Sequence, residues 1–342
     1  MTSRSRREFL AAAALPLLAA LPVAAVGQSS PRCSICGQAI SGRYKQYTLR
    51  NGAGHTVCRA CESAAPRCTG CKVPYATRQL EPAGADGSLW CRECLARTPR
   101  CSLCKSPVSG TYFQIEHQPG LWCAACWHGK EHCGLCQAPM LAPARVYPDG
   151  RRLCAGCEQT SVHGAQAHWE LASRAAGEIE SFLGAPLAIP PIQVVNLDQL
   201  NVAVADMGRH REGAAATAIH ELGMFRVRGR AQEILVLDGL PEDLAMETMA
   251  HELAHAWLHQ HVPGERQPVL EEGFAQWVAE AVCHRTYHRS GLKRIRQRPD
   301  LYGDGFRLVE ALEIRGGRGL VLEAMRTNTI PGSAGSQGGT SR

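Results

Sequence analysis

His251-Glu252-Leu253-Ala254-His255 sets two imidazoles four residues apart with a carboxylate between them. On a helix the two histidines stand one turn apart on one face, so both can grip a single zinc ion while Glu252 projects beside it toward a water molecule. The bland alternative is a solvated helix face whose three polar residues share no task. Leu270-Glu271-Glu272-Gly273-Phe274-Ala275 weighs against it. Antiparallel helices joined by a loop would return one acid of that pair to the metal as a third ligand, leaving a position open for water. Glu271 and Glu272 point about 100° apart on a helix, so only one can face the imidazoles. His220-Glu221 is a contrast, because Met224 stands where a second histidine is needed; that pair is assigned no catalytic role.

A second metal chemistry fills the first half of the chain. Of the 17 cysteines, all but Cys283 form eight pairs with two residues between: Cys33/Cys36, Cys58/Cys61, Cys68/Cys71, Cys91/Cys94, Cys101/Cys104, Cys123/Cys126, Cys133/Cys136 and Cys154/Cys157. Short and long gaps alternate, giving an internal repeat of about 32 to 35 residues present four times. Its starts agree beyond cysteine, as Pro31-Arg32-Cys33, Pro66-Arg67-Cys68 and Pro99-Arg100-Cys101. A tight pair grips one ion from a single turn, and a second pair across a short hairpin completes a tetrahedron. Disulfides are the competing reading for an exported chain. Two intervening residues, however, make a strained disulfide loop and a favoured metal knuckle. The long gaps hold turn residues and scattered β-formers such as Tyr44, Tyr47 and Val57, or Tyr112, Phe113 and Ile115. Such modules have little core, so zinc must supply folding free energy, roughly 10 kcal/mol or more per site. His55, just before Cys58, competes with a cysteine for the first zinc or else is a solvated strand end. Cys283 reads as a small buried apolar residue rather than a nucleophile.

The elements that must position these groups are legible in outline. Trp169, Ala172, Ala176, Ile179 and Leu183 recur at helical spacing, predicting an amphipathic helix over 166–183. Ile192 to Leu197 reads as a strand, and Phe225 to Arg228 with Glu233 to Leu237 as a hairpin through Gly229. Pro241 sits where a first helical residue would, followed by Glu242 and Asp243, predicting a helix to about His259. Further helices are expected over 269–288 and within 305–326, before a disordered Gly/Ser tail at 331–342.

Ser5-Arg6-Arg7-Glu8-Phe9-Leu10 followed by an Ala/Leu run predicts a cleavable twin-arginine export signal over 1–27, hence a periplasmic or extracellular protein. Its prolines and short apolar run argue against a stable membrane span, and no other segment is apolar enough. The formal net charge of +6 suggests nucleic acid at first sight. Residues 32–160 carry an excess of about eight basic groups, and each four-thiolate zinc contributes roughly −2, so the region approaches neutrality and nucleic acid is not the expected partner.

The pairs of ribbons resemble LIM domains, Cys33 to Cys94 forming one and Cys101 to Cys157 the other, although the six-residue spacer exceeds the usual LIM joint. Residues from about 186 to 326 resemble the DA1 family of peptidases, whose plant members join LIM modules to a zinc peptidase domain. The matching stretches are Ile234-Leu235-Val236-Leu237 with Gly239-Leu240-Pro241, His251 to His255 with Ala256-Trp257, Glu271-Glu272-Gly273, and Tyr302-Gly303 with Gly305-Phe306-Arg307; the ribbon from Pro66 to Cys94 is also similar. Plant members are intracellular and many carry ubiquitin-binding motifs; this chain has an export signal and no evident such motif, so ubiquitin-linked control is not carried over.

The resemblance implies an α+β, zincin-like (gluzincin) peptidase domain at 165–330, behind LIM-like ribbon pairs at 31–97 and 98–160. It implies one catalytic zinc on His251, His255 and Glu272, with about four structural zincs on the cysteines. Glu272 is preferred because related zinc peptidases use the Glu directly before a Gly-Phe-Ala type segment; Glu271 would then orient a histidine from behind. Glu252 would act as general base, with Tyr302, His284 or His288 as a second oxyanion donor. The strand Glu233 to Leu237 would serve as the sheet edge that pairs with an extended substrate. Expected partners are a protein or peptide substrate and a protein held by the LIM-like modules. The alternative is a catalytically inactive LIM-like protein-binding scaffold.

Overall fold

A computed structural model describes residues 3–4, 30–84, 86–115, 119–206 and 221–330. The expected export signal, Ser3 and Arg4 apart, and the expected disordered tail lie outside the described residues. Two compact units divide between Glu131 and His132. Among the described residues no helix is long and apolar enough to cross a membrane.

The first unit holds three ribbons built to one plan. In each, a cysteine knuckle precedes a short antiparallel hairpin: Tyr44–Thr48 with Gly54–Cys58, Leu80–Pro82 with Leu89–Cys91, and Tyr112–Phe113 with Trp122–Cys123. The third cysteine ends the hairpin, and the fourth lies in a helical turn that starts at once, as in Arg59–Ala64, Arg92–Arg97 and Ala124–Gly129. The residue after the second cysteine must turn left-handed for its N–H to reach back to the first cysteine's carbonyl. Gly37 does so at φ 77°, but Lys72 and Lys105 do so at φ 64° and 62°, a conformation that costs a side-chain-bearing residue roughly 1 kcal/mol. The cores are small: Ile40 and Val57 in the first ribbon, Val73, Tyr75, Leu80 and Trp90 in the second.

The second unit contains the fourth ribbon and the expected catalytic region together, a mixed α/β body. The ribbon repeats the plan with the hairpin Arg145–Val146 and Arg152–Leu153 and the turn Ala155–Gln159. Thus the compact division falls inside the second expected LIM-like pair, not at its end. Helix α1 (Gly164–Leu183) follows. Its buried face includes Ala172, Ala176, Ile179 and Leu183 as the spacing predicts, but His168 takes the interior position and Trp169 is exposed. Strand β1 (Ile192–Val195) is shorter than expected, because Leu197 already opens helix α2 (Leu197–Asp206).

Strands β2 (Gly223–Arg228) and β3 (Ala231–Leu237) form the expected hairpin, with Gly229 at φ 64° in its turn. The sheet order is β1-β3-β2, with β1 parallel to β3. The Glu233 to Leu237 segment is therefore the central strand, hydrogen-bonded on both sides, and cannot be the substrate edge. Among the described residues, β1 and β2 are the outer strands of this sheet.

Helix α3 (Glu242–His261) is capped by Pro241 and so starts one position later than expected. It is buried without interruption from Ala245 to Leu258. A helix enclosed on every side shows no amphipathic period; its start was legible from Pro241, Glu242 and Asp243 instead. Helix α4 (Pro268–Arg285) runs beside it, followed by α5 (Arg289–Gln297) and α6 (Leu301–Thr327), the last broken at Gly316 and Gly317. Neither α2 nor α5 was anticipated. Helices α4 and α6 touch backbone to backbone: a Cβ on Gly273 would lie 2.4 Å from the Gly305 carbonyl oxygen. This contact seats Glu272 at a defined depth beside α3.

Candidate metal centre

Each cysteine quartet anticipated from spacing is assembled: Cys33, Cys36, Cys58 and Cys61; Cys68, Cys71, Cys91 and Cys94; Cys101, Cys104, Cys123 and Cys126; Cys133, Cys136, Cys154 and Cys157. All the cysteines are free thiols. Sulfurs of opposite knuckles stand 4.0, 3.8 and 3.7 Å apart in the second, third and fourth quartets. A tetrahedron with zinc–sulfur bonds near 2.3 Å has edges of about 3.8 Å, whereas a disulfide needs about 2.05 Å. In every quartet the third cysteine's N–H points at the first cysteine's sulfur, at 3.2 to 3.5 Å. Burial raises the Cys33 thiol, but such backbone donors outweigh it and hold the group down to about 6. The quartets fit structural zinc. His55 does not join the first one: it is buried, its Nε2 lies 2.9 Å from the Pro74 carbonyl, and its ring packs on Tyr75. It is neither ligand nor solvated strand end.

The fifth cluster lies where α3 and α4 face each other. His251 Nε2 and His255 Nε2 approach to 3.1 Å, and Glu272 Oε2 stands 3.2 and 3.5 Å from them. Candidate donor atoms of the three residues lie within 4.8 Å of one another. Glu272 Oε2, which faces both Nε2 atoms, is buried yet makes no hydrogen bond of acceptable geometry. Buried polar atoms are normally satisfied, so lone pairs converging without a partner fit a cation between them. Two imidazole nitrogens and one carboxylate oxygen, with no fourth donor in the cluster among the described residues, are the donor set of an open zinc site. Glu271 turns away from the convergence and places Oε1 3.5 Å from His255 Nδ1, on the far side of the ring.

The local field favours positive charge at this point. Burial alone would depress the His255 imidazole, but Glu271 and Glu272 hold it up to about 10. Burial opposes ionisation of Glu272 as well, yet the two imidazoles keep its carboxyl far below the usual range.

Glu252 is held by the sheet edge. The Phe225 backbone N–H donates to its Oε2 at 2.6 Å, leaving Oε1 for another partner. Gly223 permits this approach, since a Cβ there would lie 2.6 Å from Thr248 and 3.0 Å from Glu252. Tyr302 and Glu221 line the same narrow cleft with Gly223 and Met224. The Tyr302 ring lies 5.8 Å from that of His251 and carries the Arg298 guanidinium on its face at 4.3 Å. Burial, and then the carboxylates of Glu221, Glu272 and Glu252, push its hydroxyl pKa upward, so the group stays protonated.

His284 and His288 are not brought to the cleft. His284 is exposed in the last turn of α4. His288 is buried away from the cleft, with Nδ1 2.7 Å from Thr286 Oγ1. Its Nε2 faces Glu242 and Asp243 at the start of α3. Cys283 is fully buried, and burial pushes its thiol pKa up, as for an inert apolar residue. His220 lies outside the described residues. Glu221, which the sequence reading assigned no catalytic role, lines the cleft just before β2.

Residues 200–296 match the family model described as DA1-like, Protein DA1. That segment belongs to the DA1-like family. No curated protein and no solved structure matches the chain. The DA1-like segment starts inside α2 and ends inside α5. It thus contains both histidines, Glu252, Glu271 and Glu272, while Tyr302 and all four ribbons lie beyond it.

Proposed function

We propose that the chain is a zinc-dependent peptidase with a zincin-like catalytic body, exported through its twin-arginine signal to the periplasm or extracellular space. The observation that carries the reading is the convergence of His251, His255 and Glu272, where the buried Glu272 Oε2 lacks a hydrogen-bond partner, beside a fixed Glu252. When bound, zinc supplies a Lewis acid that polarises a carbonyl and acidifies water. Glu252 Oε1 takes the proton of the attacking water while Phe225 N–H immobilises Oε2, and the same carboxyl later passes a proton to the leaving amine. The Tyr302 hydroxyl, kept protonated by its surroundings, donates to the oxyanion. Glu271 fixes the tautomer of His255 through Nδ1. An extended peptide pairs with β2, the edge among the described strands whose Gly223 and Met224 line the cleft.

The quartets close their metals with sulfur and leave no position for substrate, so their role is structural, and the ribbons recruit or regulate through protein contacts. The test is incubation of the purified mature protein with a complex peptide mixture, reading new termini by mass spectrometry. Cleavage that disappears on brief chelation and returns with zinc is the expected result; peptides left intact by fully zinc-loaded protein would reject the activity.

A further inference from the structure

The hairpin tips of three ribbons share one turn. Asn51 accepts the Ala53 N–H at 3.0 Å, Asp86 accepts the Ser88 N–H at 3.1 Å, and Asp149 accepts the Arg151 N–H at 3.1 Å. In the first two ribbons the side chain closes its own turn. In the fourth, the same carboxylate reaches on to the Leu197 N–H at 2.9 Å, at the start of α2. Arg151 Nε donates to both carboxylate oxygens of Asp149, at 2.9 and 3.1 Å, and Nη1 donates to the Asp238 carbonyl at 2.7 Å. The side chains of this ion pair are 2% and 1% exposed. Leu197 follows β1 and Asp238 follows β3, so the tip grips the chain where both parallel strands end.

The neighbouring contacts continue the grip. Tyr147 packs under Gly239, whose φ is 75° and where a Cβ would lie 2.2 Å from the Tyr147 hydroxyl. Ser161–Val162, directly after the ribbon, pairs with Leu240–Pro241, and Thr160 accepts the first N–H of α3, from Glu242. Every backbone position from Asp238 to Glu242 therefore meets the fourth ribbon or its exit strand, and from Glu242 the rigid α3 runs to His251, Glu252 and His255. We propose that the fourth ribbon is a working part of the catalytic body, and that Asp149 and Arg151 are positioning residues that set the start of the metal-binding helix. The proposal rests on the reading of His251, His255 and Glu272 as the catalytic metal site.

The test uses the zinc-loaded full-length mature protein carrying Asp149→Ala, Arg151→Ala or the matched control Asp86→Ala. Three quantities are read: amide hydrogen exchange over 238–246, the rate at which the His/His/Glu site gives up zinc to a chelating dye, and kcat and KM per occupied site on a cleaved peptide. Removing one member of a buried ion pair should speed local exchange roughly 100-fold. Zinc loss should accelerate and kcat should fall with KM little changed, because helix placement rather than substrate binding is altered. Asp86→Ala should match wild type throughout. If the alanine variants do not fold, Asp149→Asn keeps the turn acceptor but weakens the guanidinium pair, and must show the same direction of change. Exchange and zinc loss in Asp149 and Arg151 variants no faster than in Asp86→Ala would overturn the proposal. Both readouts decide it even if no peptide is cleaved, an outcome that would reject the peptidase reading instead.

Discussion

The ribbons and the α/β body offer metal two opposite kinds of site. A ribbon has a handful of buried side chains, such as Ile40 and Val57 around the first quartet, so its fold depends on the ion that ties its two knuckles. The body has a continuous apolar core from Leu171 to Met325, with α3 enclosed on all sides, and it can fold first and bind metal afterwards. A closed set of four sulfurs is suited to holding a chain together. An open set of three donors, built into an already rigid core, is suited to holding a reacting molecule. The fourth ribbon stands between the two cases: a metal-folded module whose hairpin tip is built into the metal-independent core.

The largest expected effect breaks a ribbon. Cys91→Ser removes a ligand from the second quartet and forfeits a large share of the roughly 10 kcal/mol that metal contributes there. Elemental analysis should find one zinc fewer, and proteolysis should cut within 66–97. A ribbon that stays protected without its zinc would show that its small core suffices after all. The converse change is Phe274→Ala in the body, where the ring is fully buried against Trp257 and Trp277. It should cost about 3 to 5 kcal/mol in the unfolding of the body while the quartets keep their zinc. A loss of quartet zinc in this variant would erase the distinction.

Within the open site, the two adjacent acids should separate. Glu272→Ala removes a donor and should abolish the catalytic zinc; Glu271→Ala removes only the partner of His255 Nδ1 and should weaken zinc affinity roughly 10 to 100-fold. Zinc titration of both variants checks this, and the reverse ranking would exchange their roles. The smallest effect lies in the knuckles. Lys72→Gly relieves a left-handed backbone at φ 64° and should stabilise the second ribbon by up to about 1 kcal/mol, seen as slower zinc release. Faster release would mean that the lysine side chain matters more than its strain.

Sequence carried the two regions unequally. A knuckle is a local object, so the cysteine spacing alone specified all four quartets down to the residue. His251, Glu252 and His255 were equally local; the helix order brought back either Glu271 or Glu272, and only the resemblance to related zinc peptidases chose Glu272. What was not legible depends on contacts between distant residues. The strand Glu233 to Leu237 has the same alternation whether it lies at an edge or in the centre; β1, some forty residues earlier, makes it central. Ser290-Gly291 gave no sign of helix α5, because the glycine serves packing: a Cβ there would lie 2.9 Å from the Cys283 sulfur and 3.4 Å from a Glu247 carboxylate oxygen. The burial of His168 in place of Trp169, and the extra reach of Asp149, are likewise set by what lies opposite them.

The most direct measurement of the central claim is peptide hydrolysis by Glu252→Gln at equal zinc content. The substitution spares His251, His255 and Glu272, and the amide oxygen can still accept the Phe225 N–H, so metal and fold should be unchanged. The account predicts the full complement of zinc with cleavage reduced roughly 100- to 10,000-fold. Cleavage at the wild-type rate by the equally loaded variant would contradict it.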